Sequence, residues 1–199
     1  MTGLPLTLAI STASPALSLA LIEDDRVIAA DHRLIGRGHA EALVPAIAAL
    51  LGDRRPALIL VDIGPGSFTG IRIGIAAARA LGVAWGAPVL GFSGTSLVAA
   101  AAFAADPSLT QIAAVIDAGR GQSFVESLDR DFYGGAIATV TTSALTPGAV
   151  PLAGDVPDAV AAAWRGQPDC RHAALLPPAA RSLPPAARYV RPPDAILPL

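Results

Sequence analysis

Hydrophobic residues near the start of the chain form three short runs that are separated by polar corners. The runs cover Leu4–Ile10, Ala16–Ile22 and Arg26–His32, and the corner before the third run holds the acidic residues 23–25. Short apolar runs bounded by turn residues are typical of β-strands. The chain is therefore predicted to open with three strands.

A helical pattern follows at His39–Leu51, where the large apolar residues lie on one stripe. They are Leu43, Val44, Ile47, Leu50 and Leu51. This i, i+1, i+4, i+7, i+8 spacing indicates an amphipathic helix, and Gly52 is expected to end it.

The next elements lie around a glycine-rich turn. Ala57–Ile63 is continuously apolar instead of alternating, which is typical of a strand in a parallel sheet covered on both faces. Residues 64–66 then turn the chain into a helix predicted at Phe68–Leu81, with Gly82 as its stop. The remaining elements of this half are a strand and a helix, at Pro88–Gly91 and Thr95–Ala105.

The second half begins like the first. Gln111–Asp117 resembles Thr7–Ser11, and a predicted hairpin follows it at Ser123–Leu128 and Phe132–Thr139. This similarity favours two copies of one supersecondary plan. The domains are therefore predicted at 1–106 and 107–199, with a linker near Asp106–Ser108. After Thr142 the chain is rich in Ala and Pro, so fewer helices and a partly extended tail are expected.

Composition narrows the chemistry. The 199 residues are 53% hydrophobic and 15% charged, which is typical of a folded globular chain. All 14 basic residues are Arg and Asn is absent, so a phosphate-binding lysine, a Schiff-base lysine and an Asn in a catalytic triad are excluded. The net charge of −2 lacks the basic surplus of a free-standing nucleic-acid binder. Any RNA contact would be shared with a partner.

Cysteine usage and the apolar segments predict a soluble cytoplasmic protein. Cys170 is the single cysteine, which excludes an internal disulfide and fits a reducing compartment. Residues 1–22 lack a basic leader segment, and Gly82, Gly86 and Pro88 interrupt the uncharged stretch 80–105. Neither a signal peptide nor a membrane-spanning helix is expected.

The strongest local signal is the segment Gly64–Gly74, which lies between a buried strand and a helix. Such a turn can present backbone N–H groups and a helix N-terminus to an anion, but it can equally serve only as a tight turn. The glycine spacing does not match a dinucleotide fingerprint, and Ser67 lacks the glycines of a nucleophile elbow.

Small residues recur every four positions in the second helix, at Gly70, Gly74 and Ala78. This strip is predicted either to admit a close helix from a partner or to pack on the chain's own sheet. The three histidines, His32, His39 and His172, lie far apart, so no metal site is predicted. Asp117, at the end of a buried strand beside two glycines, is the acidic residue that favours a functional role.

These motifs together resemble the TsaB (YeaZ) family of glycoprotease-like proteins in bacterial threonylcarbamoyladenosine synthesis. The resemblance covers nearly the whole chain. It rests on Leu8–Ala13, on His39–Glu41 with Leu43 and Pro45, on Gly64–Gly74, on Ile116–Gln122 and on Tyr189–Ala195. The Gly64–Gly74 segment is the most specific of these motifs.

The resemblance implies an α/β actin-like ATPase (ASKHA) fold with two ribonuclease-H-like subdomains, mixed central sheets and a reduced second subdomain. It also implies a non-catalytic scaffold for the paralogue TsaD, in a complex that the ATPase TsaE joins. That complex transfers threonylcarbamoyl from its adenylate to the tRNA adenosine next to the anticodon, so tRNA is met only through the complex. The alternative function is a glycoprotease-like peptidase or a nucleotide hydrolase, for which no nucleophile, base and metal set can be assembled.

The resemblance also assigns site residues, none of them catalytic. A remnant of a nucleotide loop is expected at Ser11, Thr12, Ser14, Gly64, Gly66, Ser67 and Asp117. The family usually has Asp where this chain has Ser11, so no cofactor is expected, and ATP or ADP would bind weakly and only within the complex. The partner interface, shared by TsaD and a competing homodimer, is expected at His39, Leu43, Ile47, Gly70, Ile71, Gly74 and Ala78.

Overall fold

The structure is a computed structural model and describes residues 5–191. The first half contains five strands and three α-helices: β1 (Thr7–Ser11), β2 (Ala16–Glu23), β3 (Arg26–Leu34), α1 (His39–Leu51), β4 (Leu58–Asp62), α2 (Phe68–Trp85), β5 (Val89–Phe92) and α3 (Gly94–Ala105). The second half contains β6 (Gln111–Gly119), β7 (Gln122–Asp129), β8 (Ala138–Thr141), β9 (Leu152–Gly154) and β10 (Trp164–Arg165). Three short 3-10 helices lie at Thr142–Ala144, Cys170–Leu175 and Pro178–Arg181.

The two halves have sheets of the same topology. The first has the order β3-β2-β1-β4-β5, and the second has β10-β9-β6-β7-β8, which is the same order read from the opposite edge. In each sheet the first three strands pair antiparallel, while the first, fourth and fifth pair parallel. The predicted duplication and the mixed α/β fold class are therefore confirmed.

Helices cover both faces of the first sheet. On one face, α1 and α2 bury Leu43, Ile47, Ile71 and Ile75 against the strands. On the other face lie α3 and the 3-10 helix Cys170–Leu175. Because α3 also packs on the second sheet, it is buried on all sides from its first residue to Phe103, as a helix that is apolar all round must be.

The predicted bounds of α1 are confirmed, but those of α2 are wrong at the C-terminal end. This helix continues through Gly82 to Trp85 and ends at Gly86, which adopts a left-handed conformation with φ 65°. A Cβ at Gly82 would lie 2.6 Å from Val89 Cγ2 and 3.0 Å from the Ala87 carbonyl oxygen. Gly82 is therefore needed for close packing on β5 and does not stop the helix.

The second half departs most from its pattern in the sequence. The strand predicted at Phe132–Thr139 starts later, at Ala138, because Phe132 lies in a turn with φ 61° and packs its ring against Phe103. After Thr141 the described chain forms two short strands and 3-10 helices, with no α-helix up to residue 191. Whether each half is a domain of its own, with a boundary at 106/107, stays a prediction. Leu4 and residues 192–195 of the tail motif lie outside the described residues.

Within residues 5–191, none of the helices has the length and apolar composition needed to span a bilayer.

Candidate functional site

A cleft of about 1060 Å³ lies between the two halves. Its walls are the turn after β1 (13–15), the starts of α1 (36–41) and α2 (66–70), the β6–β7 turn (117–120) and the tail segment 188–191. The turns that follow β1 and β6, the central strands of the two sheets, therefore lie at the same cleft. The cleft brings together six of the predicted site residues, namely Ser14, His39, Gly66, Ser67, Gly70 and Asp117.

The end of β1 turns its polar side chains inward. Ser11 and Thr12 are buried, and their hydroxyls donate 2.7 Å hydrogen bonds to Asp62 Oδ2 and to the Gly70 carbonyl oxygen. Ser14 lines the cleft, where its hydroxyl oxygen accepts from the Ala16 N–H at 3.2 Å. Ser11 and Thr12 therefore serve packing, and Ser14 alone of the three faces the cleft.

Asp62 is a buried acidic residue beside the site, in contact with Ser11 and Gly64, that the sequence reasoning missed. It is buried at the end of β4, where it accepts from the Ser11 hydroxyl and, at 2.8 Å, from the Gly64 N–H. Burial raises the pKa of Asp62 to about 6, and these hydrogen bonds only partly oppose the rise. A charged residue that ends an apolar strand directly before Gly-Pro-Gly was the signal that could have found it.

The Gly64–Ser67 turn uses most of its own donors. The Gly64 N–H bonds to Asp62, the Ser67 N–H donates to the Ala13 carbonyl oxygen at 2.7 Å, and Pro65, after a cis peptide bond, has no N–H. Ser67 caps α2 by accepting from the Gly70 N–H at 3.2 Å. The Gly64 and Ser67 donors are therefore used within the chain, whereas the N–H groups of Phe68 and Thr69 remain at the start of α2.

The small-residue strip of α2 packs on the chain's own sheet. A Cβ at Gly70 would collide with the Thr12 carbonyl oxygen, one at Gly74 would lie 2.7 Å from Thr12 Oγ1, and Ala78 is fully buried. The other predicted interface residues, His39, Leu43, Ile47 and Ile71, are buried as well. Leu43, Ile47 and Ile71 belong to the core, while His39 lines the cleft, so these residues offer little surface to a partner in the single chain, and their part in an interface stays a prediction. The helices instead expose Val44 and Val83.

Two acidic residues lie together at the end of the second sheet. Asp117 is exposed; its N–H donates to Asp155 Oδ2 at 3.1 Å, and its Oδ1 accepts from the Gly119 N–H at 2.9 Å. Burial raises the pKa of Asp155 to about 6, and the Asp117 charge adds to the rise. Gln167 also donates to Asp155. Asp117 therefore faces the cleft, while Asp155 holds its strand end in place.

The tail segment ties the two halves together across the cleft. The Arg188 N–H donates to the Ile63 carbonyl oxygen at 2.8 Å, and its guanidinium contacts Glu126 Oε1 on β7 at 3.2 Å. Glu126 is buried and also accepts from Thr95 at the start of α3. The Tyr189 ring packs on Phe68 with centroids 4.7 Å apart. Sequence reasoning missed Glu126 and Arg188, because contacts over such sequence separations leave no local pattern.

Histidines and the cysteine do not assemble into a reactive group. Among residues 5–191, His, Cys, Asp and Glu form no cluster of three or more that could hold a metal ion. His32 Nδ1 lies 3.0 Å from the Ser18 hydroxyl, on the far side of the sheet from the α1 and α2 helices. Cys170 is fully buried, and desolvation raises the pKa of its thiol well above the usual range. This thiol is therefore inert.

Comparison with known proteins gives one consistent result. The family model "TsaD: tRNA N6-adenosine threonylcarbamoyltransferase" matches residues 32–142, which is more than half of the chain. The TsaB proteins of Bacillus subtilis and Escherichia coli, described as tRNA threonylcarbamoyladenosine biosynthesis proteins, are each 34% identical to it. The matches cover 59% and 64% of this chain and 52% and 56% of the relatives. The chain thus spans about half the length of these curated relatives.

A solved structure, YeaZ from Pseudomonas aeruginosa, has the same fold. It superposes with a TM-score of 0.67 over 86% of this chain and 88% of its own, at 24% sequence identity. The expected two-subdomain fold is confirmed by this likeness together with the strand order of the two sheets.

Proposed function

Because the chain belongs to the TsaB/YeaZ family, we propose that it is the non-catalytic subunit of a bacterial complex that makes threonylcarbamoyladenosine in tRNA. In this role it binds and supports TsaD, which transfers threonylcarbamoyl from its adenylate to the adenosine next to the anticodon. TsaE joins this cytoplasmic complex. The chain contacts tRNA only as part of the complex. The observation that carries the proposal is the relationship to TsaB; in addition, residues 5–191 contain no cluster of His, Cys, Asp and Glu that could hold a metal ion.

The hydrogen bonds that the cleft residues make within the chain are consistent with the role of a non-catalytic subunit. The Ser11 hydroxyl is bound to Asp62, and the Gly64 and Ser67 N–H groups of the turn donate to the chain itself. A phosphate loop of a nucleotide hydrolase would need these donors for its substrate. ATP or ADP is therefore proposed to bind only weakly, and only within the complex.

The docking surface for TsaD is proposed on the outward faces of α1 and α2. These two helices lie side by side on one face of the first sheet, and they expose Val44 (60% exposed) and Val83 (87% exposed). Large apolar side chains this open to solvent are suited to burial against a partner helix. A homodimer formed through the same face would compete with TsaD.

Co-expression with tagged TsaD tests this function. We expect the two proteins to co-purify in one-to-one ratio, and we expect tRNA modification by TsaD and TsaE in a reconstituted reaction to require the chain. The chain alone should hydrolyse neither peptides nor ATP. Modification that proceeds at the same rate without this chain would contradict the proposal.

A further inference from the structure

β3 is an open edge of the first sheet. It is the outermost strand, and within residues 5–191 it pairs with β2 and with no other strand. β2 is buried from Ala16 to Ile22, whereas β3 is exposed or half-buried along its whole length. The opposite edge, β5, is partly covered, because Gly91 and Leu183 exchange backbone hydrogen bonds. An uncovered edge such as β3 is a template for another strand.

The backbone groups that face outward on β3 belong to the even-numbered residues of the segment 30–34. Residues along an antiparallel ladder alternate between those that bond to the neighbouring strand and those that face away from it. The Ile35 N–H donates to the Pro15 carbonyl oxygen at 3.1 Å, which places the odd-numbered residues on the β2 side. The ladder is regular here, because its register shift lies further along, at Leu21/Ile22.

Two opposite charges lie on one face of this segment. Arg33 Nε is 2.8 Å from Asp31 Oδ1, and the two side chains are 53% and 26% exposed. In an antiparallel pair of copies centred on His32, Asp31 of each copy lies opposite Arg33 of the other. These are non-hydrogen-bonded positions, where cross-strand side chains lie closest. Centring on residue 31 or 33 would oppose like charges, and centring on residue 30 would place both charges opposite apolar residues.

The other face of the segment exposes an apolar side chain. Leu34 is 73% exposed, and in the register centred on His32 it lies opposite the copy's Ala30, whose small side chain leaves room for it. The His32 ring at the centre leans toward its own β2, since its Nδ1 lies 3.0 Å from the Ser18 hydroxyl. One register therefore pairs both charges and covers an exposed leucine.

From these observations we propose that β3 is a homodimer interface, in which two copies pair antiparallel through residues 30–34 about a two-fold axis at His32. About six backbone hydrogen bonds and two Asp31–Arg33 pairs would cross this axis. The interface lies on the sheet edge, whereas the surface proposed for TsaD and for a competing homodimer lies on the outward faces of α1 and α2. It does not depend on the proposed function, because a chain that fails to bind TsaD can still form this dimer.

Complementary charge variants test the interface. In sedimentation velocity experiments from about 1 to 500 µM, we expect the wild type to associate reversibly, with the weak affinity of a short interface. Asp31→Arg and Arg33→Asp should each weaken dimerisation at least about tenfold, since each opposes like charges across the axis. An equimolar mixture of the two variants should regain it, because every Arg then lies opposite an Asp. A monomeric wild type, or a mixture that associates no better than either variant alone, would overturn the proposal.

A proline variant tests the backbone pairing separately. Ala30→Pro removes an outward-facing N–H, which an edge strand tolerates, so we expect urea denaturation to show a folded protein and sedimentation to show only monomer. Asp53→Arg is the control for charge reversal, because Asp53 is exposed in the turn after α1, and this variant should dimerise like the wild type. Wild-type dimerisation of Ala30→Pro, or equal losses in Asp31→Arg and Asp53→Arg, would exclude the β3 interface.

Discussion

Ser11 and Asp62 meet at the carboxyl ends of two neighbouring parallel strands, where the Ser11 hydroxyl donates a 2.7 Å hydrogen bond to Asp62 Oδ2. The resemblance to the TsaB family implies Asp at the position of Ser11. In this chain a carboxylate does lie beside that position, but it belongs to Asp62 at the end of β4. Because Asp62 also accepts from the Gly64 N–H, the same carboxylate fixes the turn that leads into α2.

Asp62→Asn is expected to reduce the pH dependence of stability. Burial raises the pKa of Asp62 to about 6, whereas the unfolded value is about 3.9. The folded state thus holds the proton more tightly, so this stabilisation is complete below about pH 4 and is lost as the pH rises through about 6. The shift corresponds to on the order of 3 kcal/mol.

An Asn at this position stays neutral and can still accept from Gly64. We therefore expect the variant to have a higher free energy of unfolding than the wild type at neutral pH, and a smaller slope between about pH 4 and pH 7 in urea titrations. Asp53→Asn, in the exposed turn after α1, is the control. Asp155, whose pKa is also raised to about 6, keeps part of the slope in both variants. A slope equal to that of the wild type would contradict the expectation.

Ser11→Asp tests whether the carboxylate has moved between strands. The single variant places two buried carboxyl groups side by side, so we expect it to lose several kcal/mol, about 3 or more, in the free energy of unfolding. The double variant Ser11→Asp, Asp62→Ser restores one carboxylate and one hydroxyl, and it should recover most of the loss. Chemical denaturation of all four members of the cycle measures the coupling. Additive effects of the two substitutions would show that the residues are independent.

Local patterns predicted the first half of the fold well. The periodic apolar stripe of α1 marks the face that this helix buries, and the unbroken apolar run of β4 marks a strand that is buried on both faces. Gly82 was misread as a helix stop, since the sequence cannot distinguish a glycine that ends a helix from one required by a neighbouring strand. Only the contact with Val89 makes that distinction.

Long-range contacts account for what the sequence did not predict. The strip Gly70, Gly74 and Ala78 has a spacing that suits a partner helix or the chain's own sheet equally, and the position of Thr12 decides for the sheet. Glu126 reads as a solvated charge on an alternating strand. Its burial follows from Arg188, which is 62 residues away in the chain. Such pairs are fixed by the packing of the two halves and have no local signal.

Arg188→Ala is expected to loosen the connection between the halves. The variant leaves Glu126, whose side chain is 4% exposed, without its cation, while the Arg188 side chain itself is 42% exposed. Because solvent screens the arginine, we expect a loss of roughly 1–3 kcal/mol in the free energy of unfolding, less than for a fully buried pair. Adding Glu126→Gln should recover part of the loss, since no buried charge then remains.

Arg79→Ala is the matched control for the tail. Its guanidinium donates to the Pro185 carbonyl oxygen at 2.8 Å in an exposed position, so its removal should change stability by no more than about 0.5 kcal/mol. Urea denaturation measures both variants. Hydrogen exchange should in addition show faster exchange in the tail and at the start of α3 for Arg188→Ala. Equal stability of the two variants would show that the Glu126 pair does not hold the halves together.

Val44→Asp and Val83→Asp are expected to disrupt TsaD binding without unfolding the chain. Both valines are more than half exposed in the single chain, so a charge is tolerated there, but in a helix-to-helix contact an unpaired carboxylate would be buried, and we expect at least about tenfold weaker binding. Leu175→Asp is the control, because Leu175 is 52% exposed on the opposite face of the sheet. Ala78→Arg should instead unfold the protein, since Ala78 is fully buried. Titration of labelled TsaD with each variant measures the affinity. Wild-type affinity in both valine variants would show that the interface lies elsewhere.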